Sequence, residues 1–302
     1  MNGFLFIDKE KGETSFDVIR SLKRVLKLPR GYKIGHCGTL DPIATGLIIV
    51  ALGEATKLLE FLFGADKVYV AECEFGAVSD TYDADGKVEK VAGASPVELD
   101  VIKKVVQEKF VGEILQMPPK FSAKKVNGKR AYDLAREGKE FKLDPKKVNV
   151  YDVSFMSFEW PRMSFEVSCG SGTYVRSLVH DLGQELEVGA YMTELRRTEI
   201  GFLDEGKSRG ISIEEAVKVS ELEDSELNDH LKPLEDLFEN YPVIDINTND
   251  YNRLKNGGFV LNTKSVQGGQ VLAKNGGKIV GVLESVRDEK FVKFRKQIKI
   301  SS

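Results

Sequence analysis

Cysteine and histidine are scarce in this sequence, and so are the patterns they build. Among 302 residues there are three cysteines, Cys37, Cys73 and Cys169, and three histidines, His36, His180 and His230. The cysteines are odd in number and scattered, with no Cys-x-x-Cys pair, so neither a disulfide framework nor a zinc site is suggested. The histidines are too dispersed for a metal site. No apolar run is long enough to span a bilayer. The first residues, Met1-Asn2-Gly3-Phe4-Leu5-Phe6-Ile7-Asp8, are charged too soon for a signal peptide. Neither a P-loop nor a dinucleotide fingerprint occurs. A reducing, cytoplasmic setting is therefore expected, away from membranes.

A marked excess of charge is missing too. Lys and Arg total 44 against 47 Asp and Glu, a net charge of −3, which taken whole argues against a nucleic-acid partner. The distribution says otherwise. Residues 120–147 carry ten bases and four acids, whereas 204–239 carry twelve acids and four bases. The acidic stretch masks the basic one. Lys124, Lys125, Lys129 and Arg130 lie in the basic segment, with Phe121 and Tyr132 interleaved. Such a segment binds phosphates by counterion release. A solvated lysine-rich loop has the same composition.

The chain is long enough for one large domain or two. Thr14 or Ser15 with Asp17 marks a helix start, and Phe16, Ile19, Leu22 and Leu26 form an apolar stripe that ends before Pro29. Residues 47–52 are continuously apolar and read as a buried strand, followed by a short helix over 54–63. Tyr69, Ala71, Cys73 and Phe75 share one face of a strand over 67–75. Ser95-Pro96-Val97-Glu98 has the form of a capping box, with Leu99, Ile102, Val105 and Val106 continuing that helix. Strands over 148–160 and 164–169 turn at Pro161-Arg162. A helix over 174–186 puts Val175, Leu178, Val179 and Leu182 inward. The acidic stretch reads as helices plus linker. Strands and helices mix without strict alternation, so the class is α+β. Beyond Glu239 the pattern predicts strands over 241–246, 270–273, 278–283 and 291–300, and a helix over 249–255. Gly257-Gly258, Gly268-Gly269 and Gly276-Gly277 supply the turns, which suits a small β-barrel.

Gly35-His36-Cys37-Gly38-Thr39-Leu40-Asp41-Pro42-Ile43-Ala44-Thr45-Gly46-Leu47 leads into the buried strand. Pro42 fixes its own φ and pushes Asp41 towards extended backbone. Asp41 is thus a carboxylate held rigidly at the lip of a strand, as a nucleophile or general base requires. An Asp-Pro turn that only reverses the chain has the same spacing.

The same thirteen residues resemble the catalytic motif of the TruB family of tRNA pseudouridine synthases, G-H-x-G-T-L-D-P-x-A-T-G-L. Further blocks resemble that family in order: Lys67-Val68-Tyr69, the run from Gln116 to Lys125, Gly172-Thr173-Tyr174-Val175-Arg176-Ser177-Leu178, and Leu195-Arg196-Arg197-Thr198. Phe121 stands where the family often has Tyr. The resemblance implies a mixed, mainly antiparallel central sheet flanked by helices, the pseudouridine synthase fold. It implies a catalytic domain over 1–240, with an RNA-binding insertion at about 120–147. Over 241–302 it implies a PUA-like RNA-binding domain.

The resemblance also implies a chemistry. Isomerising uridine breaks the C1′–N1 bond and remakes the link at C5, after the nucleotide is flipped out. Asp41 is then the essential carboxylate, with three routes open to it: attack on the sugar, attack on the base, or proton abstraction. Arg176 is its partner, because a guanidinium stays charged and its fork suits a carboxylate. Tyr69 is the base-stacking residue and a candidate proton acceptor. Tyr174, Leu195, Lys57 and His36 are expected at the substrate, and Arg196 and Arg197 at RNA. No cofactor is expected, because the reaction is redox-neutral. The expected partner is the T arm of tRNA, with uridine 55 as target and no obligatory protein partner. The alternatives are a guide-RNA-dependent synthase of the same superfamily and a non-catalytic RNA chaperone with this fold.

Overall fold

The structure is a computed structural model that describes residues 1–122, 124–126, 128–201, 203–204, 207–208, 210–238, 241–262, 270–286 and 290–299. β1 (Gly3–Lys9) is buried along nearly its whole length. α1 (Ser15–Val25) starts at Thr14, whose hydroxyl accepts from Asp17 N while the Asp17 carboxylate accepts from Thr14 N. This reciprocal cap satisfies two of the amides that a helix start leaves without partners. Val18, Ile19, Leu22 and Leu26 face the core, but Phe16, expected there, is exposed. It lies on the flank of the stripe, about 100° from its centre in a helix of 3.6 residues per turn.

β2 (Ile34–Cys37) and β3 (Thr45–Leu52) follow, then a 3₁₀ turn over Gly53–Leu58 and α2 (Leu59–Phe63). β4 (Asp66–Phe75) buries Tyr69, Ala71, Cys73 and Phe75, the expected face. β5 (Ala77–Ser79) and β6 (Val88–Lys90) form a hairpin. α3 (Leu99–Lys109) starts later than its sequence cap suggested. Ala94 and Val97 pack on the core instead, which keeps residues 95–98 out of the helix.

β7 (Gly112–Gln116) is followed by β8 (Lys125–Val126), β9 (Lys129–Arg130) and α4 (Ala131–Arg136). β10 (Lys146–Glu159) then returns to pair with β7, so 117–145 is an excursion between two neighbouring strands. β11 (Arg162–Cys169), α5 (Val175–Glu185) and β12 (Ala190–Gly201) complete the set. The main sheet has the order β1-β3-β12-β4-β11-β10-β7, with β2 paired to β3. The β12–β3 pairing is parallel, and the other pairs of this path are antiparallel. The expected α+β class with a mainly antiparallel sheet is what the chain adopts.

The acidic stretch is not a linker. Phe4 exchanges backbone hydrogen bonds with Lys232, and Val217 N donates to Phe6 O. Leu222, Leu227, Leu234 and Phe238 of this stretch are buried. Glu214, Glu215, Glu221, Glu223, Glu226, Asp229 and Asp236 are exposed while these apolar residues cover β1, an arrangement that total charge conceals.

A second sheet follows in the order Val243–Asp245, Gln270–Asn275, Lys278–Val286, Phe291–Gln297, Val260–Leu261, with a helix over Thr248–Lys255. The Gly268-Gly269 turn expected there lies outside the described residues. Leu272, Ile279, Val282 and Ile298 of this region join one core with Phe4, Phe6, Phe61 and Phe238. The two sheets are therefore held by shared burial. The three cysteines are free and buried. Among the described residues, no helix is long and apolar enough to cross a membrane, and no group of His, Cys, Asp or Glu could hold a metal ion.

Candidate active site

Asp41 opens a tight turn: Ala44 N donates to Asp41 O at 3.0 Å, with Pro42 at the corner. Leu40 and Ile43 on either side are buried in the core below. These anchors leave the Asp41 side chain as the exposed point of an immobile loop, 36% accessible. The loop also passes close to β12. At Gly46, φ is +100°, and a Cβ would lie 2.3 Å from Arg197 O. Only glycine fits there.

Arg176, in the first turn of α5, is buried to 4% exposure and reaches Asp41 with Nη2 at 3.0 Å from Oδ2. Its Nη1 lies 3.4 Å from Asp83 Oδ2. Nη1 also donates to Thr81 O at 3.0 Å, and Nη2 to Phe121 O at 2.7 Å. The guanidinium is thus fixed from four sides, and its charge faces the loop. Asp83 is itself buried, and burial raises its pKa above the ordinary value; Thr81 Oγ1, donating at 2.6 Å, and the Arg176 charge oppose that shift. Asp83 was not singled out in the sequence. It lies in Asp80-Thr81-Tyr82-Asp83-Ala84-Asp85-Gly86, a turn-forming composition that does not reveal which carboxylate points inward.

Tyr69 is buried to 8% exposure, in one cluster with Leu40, Ile43 and Leu195. Burial raises its phenol pKa, while the nearby Arg197 guanidinium pulls the other way. A phenol held above its ordinary range stays protonated at neutral pH. Arg197 is itself buried, donating from Nε to Leu47 O at 2.6 Å and from Nη2 to Gly38 O at 3.0 Å. It pins both arms of the Asp41 loop and is not at the surface where RNA contact was expected. Arg196 closes its fork on Asp8, at 3.0 and 2.8 Å.

Lys57 also departs from expectation. Its ammonium pairs with Glu54 at 2.6 Å and donates to Gln297 O, at the seam with the second sheet. His36 sits on β2 with Nδ1 buried and without a hydrogen-bond partner among the described residues, and burial followed by the Arg197 charge lowers its pKa. It is neutral at pH 7, as a base-stacking ring would be. Tyr174 is clipped through its backbone: its N–H donates to Gln116 Oε1 at 2.8 Å, and Gln116 Nε2 donates to its carbonyl at 3.0 Å. Ser177 Oγ donates to Met117 O at 3.0 Å. The Gln116 block therefore fastens the start of α5 and with it Arg176.

Lys9 was also missed. It is 1% exposed, it donates to the Glu10 and Glu13 carbonyls at 3.0 and 2.7 Å, and burial lowers its pKa to about 8. In the excursion, Lys129 is exposed and Lys124 donates to Asp144 O at 3.1 Å; the side chains of Lys125 and Arg130, expected at RNA, lie outside the described residues. A hollow of about 640 Å³ there is lined by Lys120, Phe121, Lys139, Phe141 and Lys142 among others.

Residues 23–175 match the N-terminal domain of TruB family pseudouridylate synthases, and residues 176–239 match the C-terminal domain of tRNA pseudouridylate synthase B. The tRNA pseudouridine synthase B of Aquifex aeolicus is 42% identical over 296 residues, spanning 97% of this chain and 94% of that protein. The chain belongs to the TruB family. The tRNA pseudouridine synthase B of Lactobacillus delbrueckii is 41% identical over 86% of both chains. Among solved structures, a Cbf5–Nop10–Gar1 complex contains a chain that is 26% identical, with a TM-score of 0.71, covering 99% of this chain and 84% of that one. The family's two matched domains meet between Tyr174, at the cap of α5, and Arg176 in its first turn. The Asp41–Arg176 contact therefore joins a residue of one matched region to a residue of the other.

Proposed function

We propose that this TruB-family chain isomerises uridine to pseudouridine in the T loop of tRNA, at position 55, with Asp41 as the nucleophile. The observation that carries the assignment is the Asp41–Arg176 pair: a rigidly presented carboxylate 3.0 Å from a buried, fourfold-held guanidinium. The fixed guanidinium holds the carboxylate in one orientation towards a flipped base. The flipped uridine lies over Asp41, with Tyr69 and Leu195 beneath as its apolar floor and His36 beside it. On the route through the sugar, an Asp41 oxygen bonds to C1′ as the C1′–N1 bond breaks, and the freed base turns while held. C5 then bonds to C1′ as the Asp41 oxygen leaves, the C5 proton is lost and N1 takes up a proton, which restores the ring. Every atom of the substrate is kept and no electrons are exchanged, so the reaction needs no cofactor.

Residues 1–240 form the catalytic part in this reading, with the basic excursion at about 120–147 gripping the T loop through Lys124, Lys125, Lys129 and Arg130. Residues 241–302 act as a PUA-like RNA-binding unit. The chain works without a protein partner. The likeness to a chain from the Cbf5–Nop10–Gar1 complex favours one rival, a synthase that needs partners. Both are separated by one experiment. Purified chain alone is incubated with unmodified T-arm RNA, and pseudouridine is mapped. Modification of uridine 55 supports the proposal. Modification only after guide RNA or proteins are added supports the rival.

A further inference from the structure

The exposed face of α1 is unusual for its place. Phe16 is 62% exposed, although Val18 and Ile19 beside it are buried. Arg20 holds its guanidinium 5.4 Å from the centre of the Phe16 ring and pairs with Asp17 at 2.9 Å. Lys23 continues the same face at i+7 and is exposed. From Phe16 to Lys23 this ridge runs about 10 Å at 1.5 Å per residue.

The ridge starts at the catalytic loop. Ser15 Oγ accepts from Leu40 N at 2.9 Å and donates to Leu40 O at 3.3 Å. Gly12 N donates to Pro42 O at 2.8 Å. These contacts grip the residues on either side of Asp41, so Phe16 is one residue from a fixed attachment to the loop. On the other side of α1, Arg24 faces Asp8, Glu10 and Glu13 across a hollow of about 230 Å³. The cations Arg196 and Lys218 there are already paired with Asp8 and Glu10, which leaves the Phe16 side as the better seat for an RNA strand.

We propose that Phe16, Arg20 and Lys23 form an RNA track leading away from the site, resting on the uridine-isomerase reading above. The Phe16 ring stacks on an unpaired base next to the target uridine, and the two cations meet the phosphates of the strand leaving it. An aromatic ring backed by a guanidinium is what sequence-tolerant stacking on single-stranded RNA uses. A deeply buried flipped uridine needs its neighbour held, or the loop slides.

The test uses the full chain and T-arm RNA carrying 2-aminopurine beside the target uridine. Phe16→Leu keeps the apolar volume but removes the ring. Lys23→Gln removes one phosphate contact, and Lys104→Gln on α3 is the control. The expected results are quenching of 2-aminopurine by the wild type that Phe16→Leu abolishes, with Kd raised about tenfold. Lys23→Gln lowers the slope of log K against log salt by roughly 0.7–0.9, and Lys104→Gln changes neither. Normal quenching and Kd in Phe16→Leu, with normal uridine modification, overturn the track and leave the function standing. Should the wild type modify no uridine, the function fails instead. The same variants measured on a single-stranded RNA then decide the track by itself. Displacement of RNA by polyglutamate with no loss of affinity in Phe16→Leu would point to an acidic protein and overturn the proposal.

Discussion

Arg176 divides one guanidinium between two carboxylates, Nη2 at 3.0 Å from Asp41 and Nη1 at 3.4 Å from Asp83. The two acids are unequal: the Asp41 side chain is 36% accessible and the Asp83 side chain 5%. Asp41 can meet a substrate, and Asp83 cannot. Asp41→Asn keeps the shape and removes the charge, so single-turnover pseudouridine formation should fall on the order of 10⁴–10⁶-fold with RNA binding intact. Arg176→Lys keeps a charge but not the fork, and should lose on the order of 10²-fold through misplacement of Asp41. Near-normal rates at saturating protein in either variant would remove these assignments.

Asp83→Asn tests the hidden partner. It leaves Arg176 with one carboxylate, which frees the guanidinium to shift. The expected result is a single-turnover rate lower by roughly 10²-fold at unchanged Kd. A change in Kd alone would mean that the turn over 80–86 serves RNA binding and not the orientation of Arg176.

Burial, with help from Glu185, raises the Asp181 pKa to about 6 from 3.8. Below pH 3.8 the group is protonated in both the folded and unfolded chain. Between 3.8 and about 6 the folded chain binds more protons, so its contribution to stability falls as pH rises. Above pH 6 the penalty is complete. Asp181→Asn removes it, so the variant should gain on the wild type from pH 4 to pH 7. Discounted for partial solvation, the gain is about 1–2 kcal/mol. Urea midpoints at the two pH values measure it, and an identical difference at both would refute the shift.

How much was legible depended on whether a residue's role was local. The buried strand expected over 47–52 follows from a continuous apolar run, and the face of Tyr69 and the inward side of α5 from periodicity, because one element and one core decide each; the strand itself begins two residues earlier, at Thr45. The catalytic role of Asp41 was read from the family resemblance, since an ordinary Asp-Pro turn has the same spacing; its placement in a tight turn was legible because Pro42 follows it in sequence. Arg197 and Lys57 were not. Their motif position says that something holds them, but the carbonyls that take Arg197 are Leu47 of β3 and Gly38 of the loop before it, 150 and 159 residues earlier. Lys57 bonds Gln297, 240 residues later. Such pairings are set by sheet order, which a sequence pattern does not encode. Phe16 failed for the opposite reason: its hydrophobicity fitted the stripe, but its angle did not.

Lys57→Ala should therefore be a stability variant. Removing its ion pair with Glu54 and its bond to Gln297 is expected to lower stability by about 1 kcal/mol, a Tm shift of roughly 2 °C in a chain of this size. The single-turnover rate at saturating protein should be unchanged. A rate loss with normal Tm would return Lys57 to the substrate.

The shared core makes a last, sharper prediction. Leu272 is fully buried in the second sheet yet clusters with Phe4, Phe6 and Phe61 of the first part of the chain. The sole tryptophan, Trp160, lies far from it in sequence and stacks on Phe75 at 5.6 Å. Leu272→Ala leaves a cavity that should cost about 2–5 kcal/mol. If both sheets unfold as one unit, the loss reaches every probe. Trp160 fluorescence and far-UV circular dichroism should then shift together to a lower urea midpoint. If the second sheet is an independent domain, Trp160 keeps its wild-type midpoint while part of the dichroism melts early. The burial of Leu272 and Val282 against Phe4 and Phe238 favours the first outcome. It also implies that removing 241–302 would uncover apolar surface on the first part of the chain rather than detach a separate module.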